Sequence, residues 1–280
     1  MKRSSTTLKN DEIDSIAIGG FDGIHLAHQK LISHLTANGA LMIVDNKNAS
    51  LTPKTERCHY LNHACIFLTF SKIRDLSADA FVAFLQKEFK NLKKIVVGYD
   101  FRFGKDAQGD TIMLQELFDG EVVVIEEVFI NNISIHSRVI RDMLKEGKIK
   151  EANKLLGRAY EIEGRVIQGQ GVGKKLLYAT LNLEVTDFLI PKEGVYATFT
   201  KIGDTKYRSA SFVGKRVSTD EKFSIETHIL DEDFKLTPKE VRIVFVDFIR
   251  ENRKFEDLSL LKEQISKDIA QITSTLQELP

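Results

Sequence analysis

The sequence has few cysteines and no excess of either charge, and each lack excludes a class of protein. Only Cys58 and Cys65 occur among 280 residues, too few for disulfide bonds to stabilise a chain of this length. We therefore expect free thiols in a reducing compartment. The 40 Lys and Arg residues balance 40 Asp and Glu residues, which leaves no overall field to draw the protein onto nucleic acid or an anionic membrane. An anionic ligand must therefore be held by a local site.

The chain also lacks the apolar segments that direct proteins to membranes. Its first dozen residues are polar, without the apolar centre of a secretory signal, and no run approaches the roughly 18–20 apolar residues of a membrane span. We therefore expect a cytoplasmic protein that binds neither membrane nor nucleic acid. Its length exceeds the common size of a single core and predicts two domains.

The first half alternates short apolar runs with helical patterns. Strand-like runs lie at 15–19, 40–45, 65–70, 94–99 and 121–128. Apolar residues at helical spacing lie at 26–35, 78–89 and 137–156. This alternation predicts an α/β domain, a Rossmann-like parallel sheet with helices on both faces.

After Gly157 the pattern changes to closely spaced strand-like segments with turns between them. These segments predict a small antiparallel β-barrel or sandwich. The closing segment 258–276 has apolar residues at helical spacing and predicts a terminal α-helix that can lie against the barrel. We place the boundary near residue 157, which gives domains of residues 1–157 and 158–280.

A glycine turn follows the first predicted strand, in the segment GGFDGIHLAHQ. Gly19 and Gly23 allow close backbone approach, and the amides at the following helix start attract phosphate. His25 and His28 lie three residues apart and share a helical face, where they can hydrogen-bond an oxygen that gains charge as pyrophosphate leaves. A bare His-x-x-His pair more often marks polar helix-start residues or a metal site. The strand–turn–helix context favours adenylyl transfer.

The segment resembles the G-x-F-D-G-x-H-x-G-H motif of the bacterial bifunctional riboflavin kinase/FAD synthetase family, within the nucleotidyltransferase superfamily. Ala27 replaces one motif glycine. The resemblance implies a catalytic role for His25 and His28. It also implies nucleotide-binding residues at Gly19, Phe21, Asp22 and Gly23. The loop 44–53 lacks the family's P-h-P pattern, and no residue is carried over from it.

The segment VVGYDFRFGKDAQGD is similar to the family's second block, G-x-D-F-R-F-G. A glycine-punctuated loop after a strand is where α/β sheets place ligand contacts, and aromatic side chains there can stack on a flat ring. From the residues alone, a core aromatic pair capped by a turn is the commoner interpretation. The resemblance implies a flavin-binding group at Asp100, Phe101, Phe103 and Gly104.

A third block, IHSRVIR, is similar to the family's I-S-S-T-x-I-R. His136 and Arg138 depart from that pattern, whereas Ser137 and Arg141 match it. The resemblance implies that Ser137 contacts the nucleotide and that Arg141 is a catalytic clamp on phosphate, to which a guanidinium is suited.

In the second half, GRVIQGQGVGKKLLYATLN resembles the riboflavin kinase signature G-x-x-x-G-R-x-L-G-F-P-T-A-N. Glycine-rich backbone with lysine can hold phosphates, and hard oxygen ligands suit Mg²⁺. The resemblance implies ATP-binding residues at Gly169, Gly173 and Lys174 and metal ligands at Thr180 and Asn182. Lys174, Leu177 and Ala179 depart from the signature.

The segment SIETHILDEDF resembles the family's strand with a catalytic carboxylate, which implies that Glu226 takes the proton of the riboflavin 5′-hydroxyl as this oxygen attacks ATP. Strand alternation puts Glu226 and His228 on one face and Thr227 on the other. From the residues alone, Glu226 is more often an exposed glutamate in an edge strand than a catalytic carboxylate. The nearby block 211–220 is the least faithful to the family, with Phe212 in place of asparagine.

The resemblance spans nearly the whole chain after residue 14. It implies FAD biosynthesis: riboflavin is phosphorylated to FMN, and FMN is adenylylated to FAD, with ATP and Mg²⁺ used in both steps by a monomer or weak homo-oligomer. Two alternatives stay open. One is an adenylyltransferase whose impaired kinase barrel only binds flavin, suggested by Leu177, Ala179 and Phe212. The other is a non-catalytic flavin or nucleotide sensor on the same fold, against which the retained Glu226 argues.

Overall fold

The computed structural model describes residues 8–45, 49–168, 180–216, 221–230 and 238–277. By its internal contacts the chain divides into two compact units, Met1–Ser137 and Arg138–Pro280. Within the described ranges, no helix has the length and apolar character needed to span a membrane.

The first unit contains the predicted parallel sheet. Its strands are β1 (Ser15–Gly19), β2 (Gly39–Asp45), β3 (Ala64–Thr69), β4 (Lys94–Gly98), β5 (Glu121–Ile125), β6 (Phe129–Ile130) and β7 (Ile133–Ser134). Its helices are α1 (Leu26–Ile32), α2 (Ala78–Glu88) and α3 (Thr111–Leu117), with a 3₁₀ helix over Lys54–Tyr60. The first five strands are parallel in the order β3-β2-β1-β4-β5, and β6 and β7 form a hairpin. The Rossmann-like prediction is confirmed.

Helices cover both faces of this sheet because side chains alternate along each strand. On one face, Ile16 and Ile18 of β1 join a core with Phe81 of α2. On the other, Ala17 joins a core with Leu31 of α1. The strand order reverses between β1 and β4, and a parallel sheet leaves an open crevice at the carboxyl ends of its strands at such a point.

The second unit contains a closed antiparallel barrel. Its elements are α5 (Ile149–Leu156), β8 (Tyr160–Ile167), β9 (Leu181–Glu184), β10 (Gly194–Ile202), β11 (Thr205–Lys215), β12 (Phe223–Ile229), β13 (Glu240–Glu251) and α6 (Leu258–Gln277), preceded by α4 (Ser137–Lys145). The strands close in the order β10-β11-β12-β9-β8-β13. Of the barrel and the sandwich, the barrel is therefore correct, and Ile272 of α6 packs against it as predicted.

The single helix predicted over 137–156 is wrong, because α4 and α5 are separate. Between them Gly147 has a φ of 81°, a conformation that ends a right-handed helix. The side chain of Asn153 in α5 donates to the carbonyl of Phe245 at 2.9 Å and accepts the backbone N–H of Tyr160 at 2.7 Å. By contact α5 thus lies in the second unit, although its sequence pattern continues that of the first half.

The barrel has a buried cluster of hydroxyl groups on three adjacent strands. Its members are each at most 1% exposed: Thr198, Thr200, Ser209, Ser211 and Thr227. Their side-chain oxygens lie 2.8–3.0 Å apart in a connected network. Buried hydroxyls are stable when they satisfy one another, and a slip by one residue would break every bond. The cluster therefore fixes the register of β10, β11 and β12.

Replacing Thr227 by valine tests this cluster. Thr227→Val keeps the shape of the side chain but leaves the hydroxyls of Thr200 and Ser211 short of a partner, so we expect the free energy of unfolding to fall by about 1–3 kcal/mol. Urea denaturation followed by circular dichroism measures the change. The exposed Thr205→Val on β11 is the control, and equal stability of both variants would contradict a role for the cluster.

Candidate active sites

A cavity of about 900 Å³ opens at the carboxyl ends of β1, β4 and β5. It lies where the strand order reverses, the usual place for ligands on such sheets. The predicted site residues in its wall are Gly19, Phe21, His25, His28, Asp100, Phe101, Phe103, Gly104 and Ser137. The fold thus brings three distant sequence blocks to one cavity.

His25 and His28 stack in the cavity wall, with ring centroids 3.6 Å apart and planes 16° apart. His25 is the N-cap of α1, and its Nδ1 accepts the backbone N–H of His28 at 3.3 Å. As Nδ1 is an acceptor, the proton of a neutral His25 ring resides on Nε2. His25 is only 3% exposed, and the ring of Phe21 lies 5.1 Å from that of His28. The pair is therefore held in one arrangement.

The turn that carries these histidines is strained. The φ angles of Phe21, Gly23 and Ile24 are 52°, 93° and 41°. Glycine adopts such angles readily, but other residues there cost of the order of 1–3 kcal/mol each and persist only when their surroundings hold them. The turn between β1 and α1 therefore needs support from elsewhere in the unit.

That support comes from residues 51–57, which we call the bracket. One carboxylate oxygen of Asp22 accepts the backbone N–H groups of Leu51 at 2.8 Å and Thr52 at 3.0 Å. The N–H of Gly23 donates to the Thr52 hydroxyl at 2.7 Å. Of the described residues around the cavity, Asp22 and Gly23 are not part of its wall. The structure therefore places these two predicted nucleotide-binding residues in the support of the turn.

Two further hydrogen bonds reach the carbonyl groups of the same turn. Ser137 at the start of α4 donates its hydroxyl to the carbonyl of Asp22 at 2.7 Å. Arg57, at the end of the bracket, donates from Nη1 to the carbonyl of Gly20 at 2.7 Å. Sequence reasoning missed Arg57, because the loop before it lacks the family pattern and no local periodicity marks an arginine as buried.

Aromatic rings form another part of the cavity wall. The rings of Phe101 and Phe103 are stacked with centroids 5.6 Å apart, and Phe81 lies 5.3 Å from Phe103. Phe103 is buried in the hydrophobic core of the unit, whereas Asp100 is exposed. Phe103 therefore belongs to the core and also lines the cavity.

A cluster of polar side chains lies at the same cavity. His136, a departure from the family motif, has its Nε2 3.6 Å from a carboxylate oxygen of Glu127, and both residues line the wall. The Ser134 hydroxyl donates to that carboxylate and holds the pKa of Glu127 below its usual range, with Tyr99 and His136 acting in the same direction. A carboxylate and an imidazole thus meet where the sequence motif would have placed a serine.

The second candidate site surrounds Glu226 on β12. Thr227 is buried, whereas Glu226 is half-buried, so the predicted alternation is confirmed. The Thr180 hydroxyl donates to Glu226 Oε2 at 3.4 Å, and Arg216 Nη1 lies 3.6 Å from Oε1. Asn182 is the register partner of Glu226 across β9 and β12. A carboxylate thus lies between a hydroxyl and a guanidinium, beside an amide on the next strand.

Family models match both halves of the chain: riboflavin kinase over residues 156–276 and FAD synthetase over residues 39–139. A bifunctional riboflavin kinase/FMN adenylyltransferase of Buchnera aphidicola from Schizaphis graminum is 32% identical, with 91% of each chain covered. The chain belongs to the bifunctional riboflavin kinase/FMN adenylyltransferase family. A second member, from the Buchnera aphidicola of Acyrthosiphon pisum, is 33% identical over 91% of this chain and 90% of that one.

A solved structure has the same fold over nearly its whole length. The crystal structure of a protein named macrolide-efflux protein, from Streptococcus pneumoniae, has a TM-score of 0.83 and 29% identity, covering 92% of this chain and 93% of that one. The efflux in that name differs from the activities named for the family. Because one fold hosts many functions, this likeness carries no activity to the present chain.

The remaining family positions divide between described and undescribed residues. Arg141 lies on α4, one helical turn after Ser137, and is half-buried. The predicted ATP-binding residues Gly169, Gly173 and Lys174 lie outside the described residues. Arg216 was missed because the block that contains it, residues 211–220, is the least faithful to the family.

Variants of Asp22 test whether the bracket holds the turn. Asp22→Ala removes the acceptor for two backbone N–H groups, so we expect the free energy of unfolding of the first unit to fall by about 1–3 kcal/mol. Asp22→Asn keeps one carbonyl acceptor of the same shape and should lose less. Urea denaturation of both variants checks this order, and an Asp22→Ala protein as stable as the wild type would contradict the role of the bracket.

Proposed function

We propose that this chain makes FAD in two ATP-dependent steps, phosphorylating riboflavin to FMN in the barrel and adenylylating FMN in the α/β unit. One observation carries the proposal: the two family models fall on separate parts of the chain, and each part has its own cluster of reactive side chains. We assign the adenylyltransferase to residues 1–157 and the kinase to residues 158–280. The unmatched residues 140–155 lie just before this boundary, whereas the compact units divide after Ser137.

For adenylyl transfer, we propose that an oxygen of the FMN phosphate attacks the α-phosphorus of ATP. A bond forms between these atoms, the bond from the α-phosphorus to the bridging oxygen breaks, and pyrophosphate leaves. We propose that His25 and His28 donate hydrogen bonds to the oxygen that gains negative charge, which is supported by their position in the cavity wall. Arg141 would add a cation to the phosphates. The step needs positioning and electrostatic stabilisation but no covalent intermediate.

The cavity wall suggests how the substrates are recognised. Gly19, Phe21 and Ser137 would bind the nucleotide beside the histidines. Asp100 and Gly104, with the stacked rings of Phe101 and Phe103, would bind the flavin, whose flat ring suits an aromatic surface. Support comes from their presence in the wall of one cavity, which is large enough for a cofactor-sized ligand.

For the kinase step, we propose that Glu226 accepts the proton of the riboflavin 5′-hydroxyl as its oxygen attacks the γ-phosphorus of ATP and ADP leaves. Arg216, 3.6 Å from the carboxylate, helps to hold Glu226 in place. Thr180 and Asn182 would supply a hydroxyl and an amide oxygen, hard donors that fit Mg²⁺, which binds through few protein groups. When bound, Mg²⁺ would neutralise charge on the ATP phosphates. We also propose a cytoplasmic enzyme that acts as a monomer or weak homo-oligomer.

Two variants separate the two activities. His28→Ala removes a donor to the leaving oxygen, so FAD formation from FMN should fall roughly 100-fold or more while FMN formation persists. Glu226→Gln removes the base and should have the reverse effect. Chromatography of the flavins formed from riboflavin, and separately from FMN, measures both rates.

The controls are a histidine and a glutamate outside the sites. His59 pairs with Glu56 at 3.0 Å, and Glu184 pairs with Arg165 on the barrel surface, so His59→Ala and Glu184→Gln should keep both rates. Loss of both activities in folded His28→Ala or Glu226→Gln protein would contradict the two-site assignment. Absence of FMN formation by the wild type would favour the impaired-kinase alternative, and absence of any turnover would favour the sensor.

Replacement of Asn182 tests the magnesium site. Asn182→Leu removes one oxygen ligand, so the Mg²⁺ concentration for half-maximal FMN formation should rise roughly tenfold, the equivalent of about 1.4 kcal/mol. Magnesium titration of both reactions gives the measurement, with FAD formation from FMN as the internal control. An unchanged requirement in the kinase reaction would exclude Asn182 as a ligand.

A further inference from the structure

Arg57 is a buried cation that the proposed reactions do not use. It is 1% exposed and among the largest fully buried side chains of the described residues. Removing a guanidinium from water costs several kcal/mol unless its donors are paired. A cation at such a position therefore needs a physical reason.

The hydrogen bonds of Arg57 connect three parts of the first unit. Its Nε donates to the carbonyl of Lys54 at 3.1 Å, in the same 3₁₀ helix. Its Nη2 lies 3.4 Å from a carboxylate oxygen of Asp45 at the end of β2, and its Nη1 donates to the carbonyl of Gly20. The planar guanidinium group thus holds the glycine turn against the 3₁₀ helix and the sheet.

The guanidinium of Arg57 is paired with one carboxylate near the surface. The carboxylate of Asp45 is 34% exposed and 3.4 Å away, so water screens the pair. Gly20 lines the cavity, whereas Arg57, among the residues described, is not part of the wall. The guanidinium of Arg57 therefore lies behind the backbone of the glycine turn, outside the cavity wall.

The hydrogen bond to Gly20 also sets the direction of a peptide group. Backbone holds phosphate through its N–H groups, and a carbonyl oxygen turned toward the same ligand would repel it. The Gly20 carbonyl points instead to Arg57, behind the wall. A Cβ built on Gly20 meets no atom within 4 Å, so the space beside this residue is open to a ligand.

We infer that Arg57 is a positioning residue for the phosphates of ATP in adenylyl transfer. Through its hydrogen bond it keeps the Gly20 carbonyl turned away from the phosphates. The inference rests on the proposed adenylylation of FMN in this cavity. It assigns to the bracket a role in nucleotide binding as well as in support of the turn.

Steady-state kinetics of two Arg57 variants test the inference. Arg57→Gln removes the charge, and the KM for ATP in FAD formation should rise roughly tenfold or more, because a hydrogen bond from a charged donor is lost. The KM for FMN should change less than about twofold, since FMN would bind elsewhere in the cavity. Arg57→Lys keeps the charge but loses the planar guanidinium and its several donors. Its KM for ATP should therefore lie between those of Arg57→Gln and wild type.

The kinase reaction of the same molecules is the internal control, because it also uses ATP. Its KM for ATP should be unchanged in both Arg57 variants. The matched control variant is Lys94→Gln, which breaks an ion pair with Glu121 at the amino end of β4, in the same sheet but outside the cavity wall. Lys94→Gln should change neither reaction.

The outcomes distinguish failure of this inference from failure of the proposed function. A wild-type protein that forms no FAD from FMN would contradict the proposed function. A wild type that forms FAD, beside an Arg57→Gln protein with an unchanged KM for ATP, would overturn the inference alone. An equal rise in the KM for ATP and the KM for FMN in FAD formation would make Arg57 a structural residue and also overturn the inference. Circular dichroism showing that both Arg57 variants fail to fold would have the same meaning.

Discussion

The strained turn between β1 and α1 is the constraint on which the first site depends. Phe21 and Ile24 adopt positive φ angles, at a cost of the order of 1–3 kcal/mol each. An ordinary hydrogen bond contributes only about 0.5–1.5 kcal/mol, so one contact could not hold the turn. The bracket and Ser137 supply several hydrogen bonds together. They fix where α1 begins, and so where His25 and His28 stack at the cavity.

The barrel solves a related problem with hydroxyl groups. In the proposed function, Glu226 faces a ligand while its strand stays in register with two neighbours. Thr227, the next residue, is bonded to hydroxyls on β10 and β11, and strand alternation then directs Glu226 to the opposite face. On that face Thr180 and Arg216 contact the carboxylate. In both units, buried polar bonds position a side chain to which we assign a chemical role.

The sequence was sufficient for features that rest on local periodicity. Apolar alternation predicted the parallel sheet and the antiparallel half, and motif resemblance predicted His25, His28 and Glu226. Contacts between distant residues left no such pattern. The bracket meets the turn some 30 residues away, so neither Arg57 nor the supporting position of Asp22 could be predicted. The break at Gly147 was missed because apolar residues continue at helical spacing on both sides, whereas the φ of one glycine ends the helix.

If one chain holds two sites that act in succession, FMN must appear as an intermediate, which a chromatographic time course detects. Purified wild-type protein with ATP and MgCl₂ would be started from riboflavin in one tube and from FMN in another. We expect FMN to appear and then give way to FAD in the first tube, while FAD forms without a lag in the second. If FAD forms only from supplied FMN, the proposed kinase activity is contradicted. If no flavin product forms in either tube, both proposed activities are contradicted.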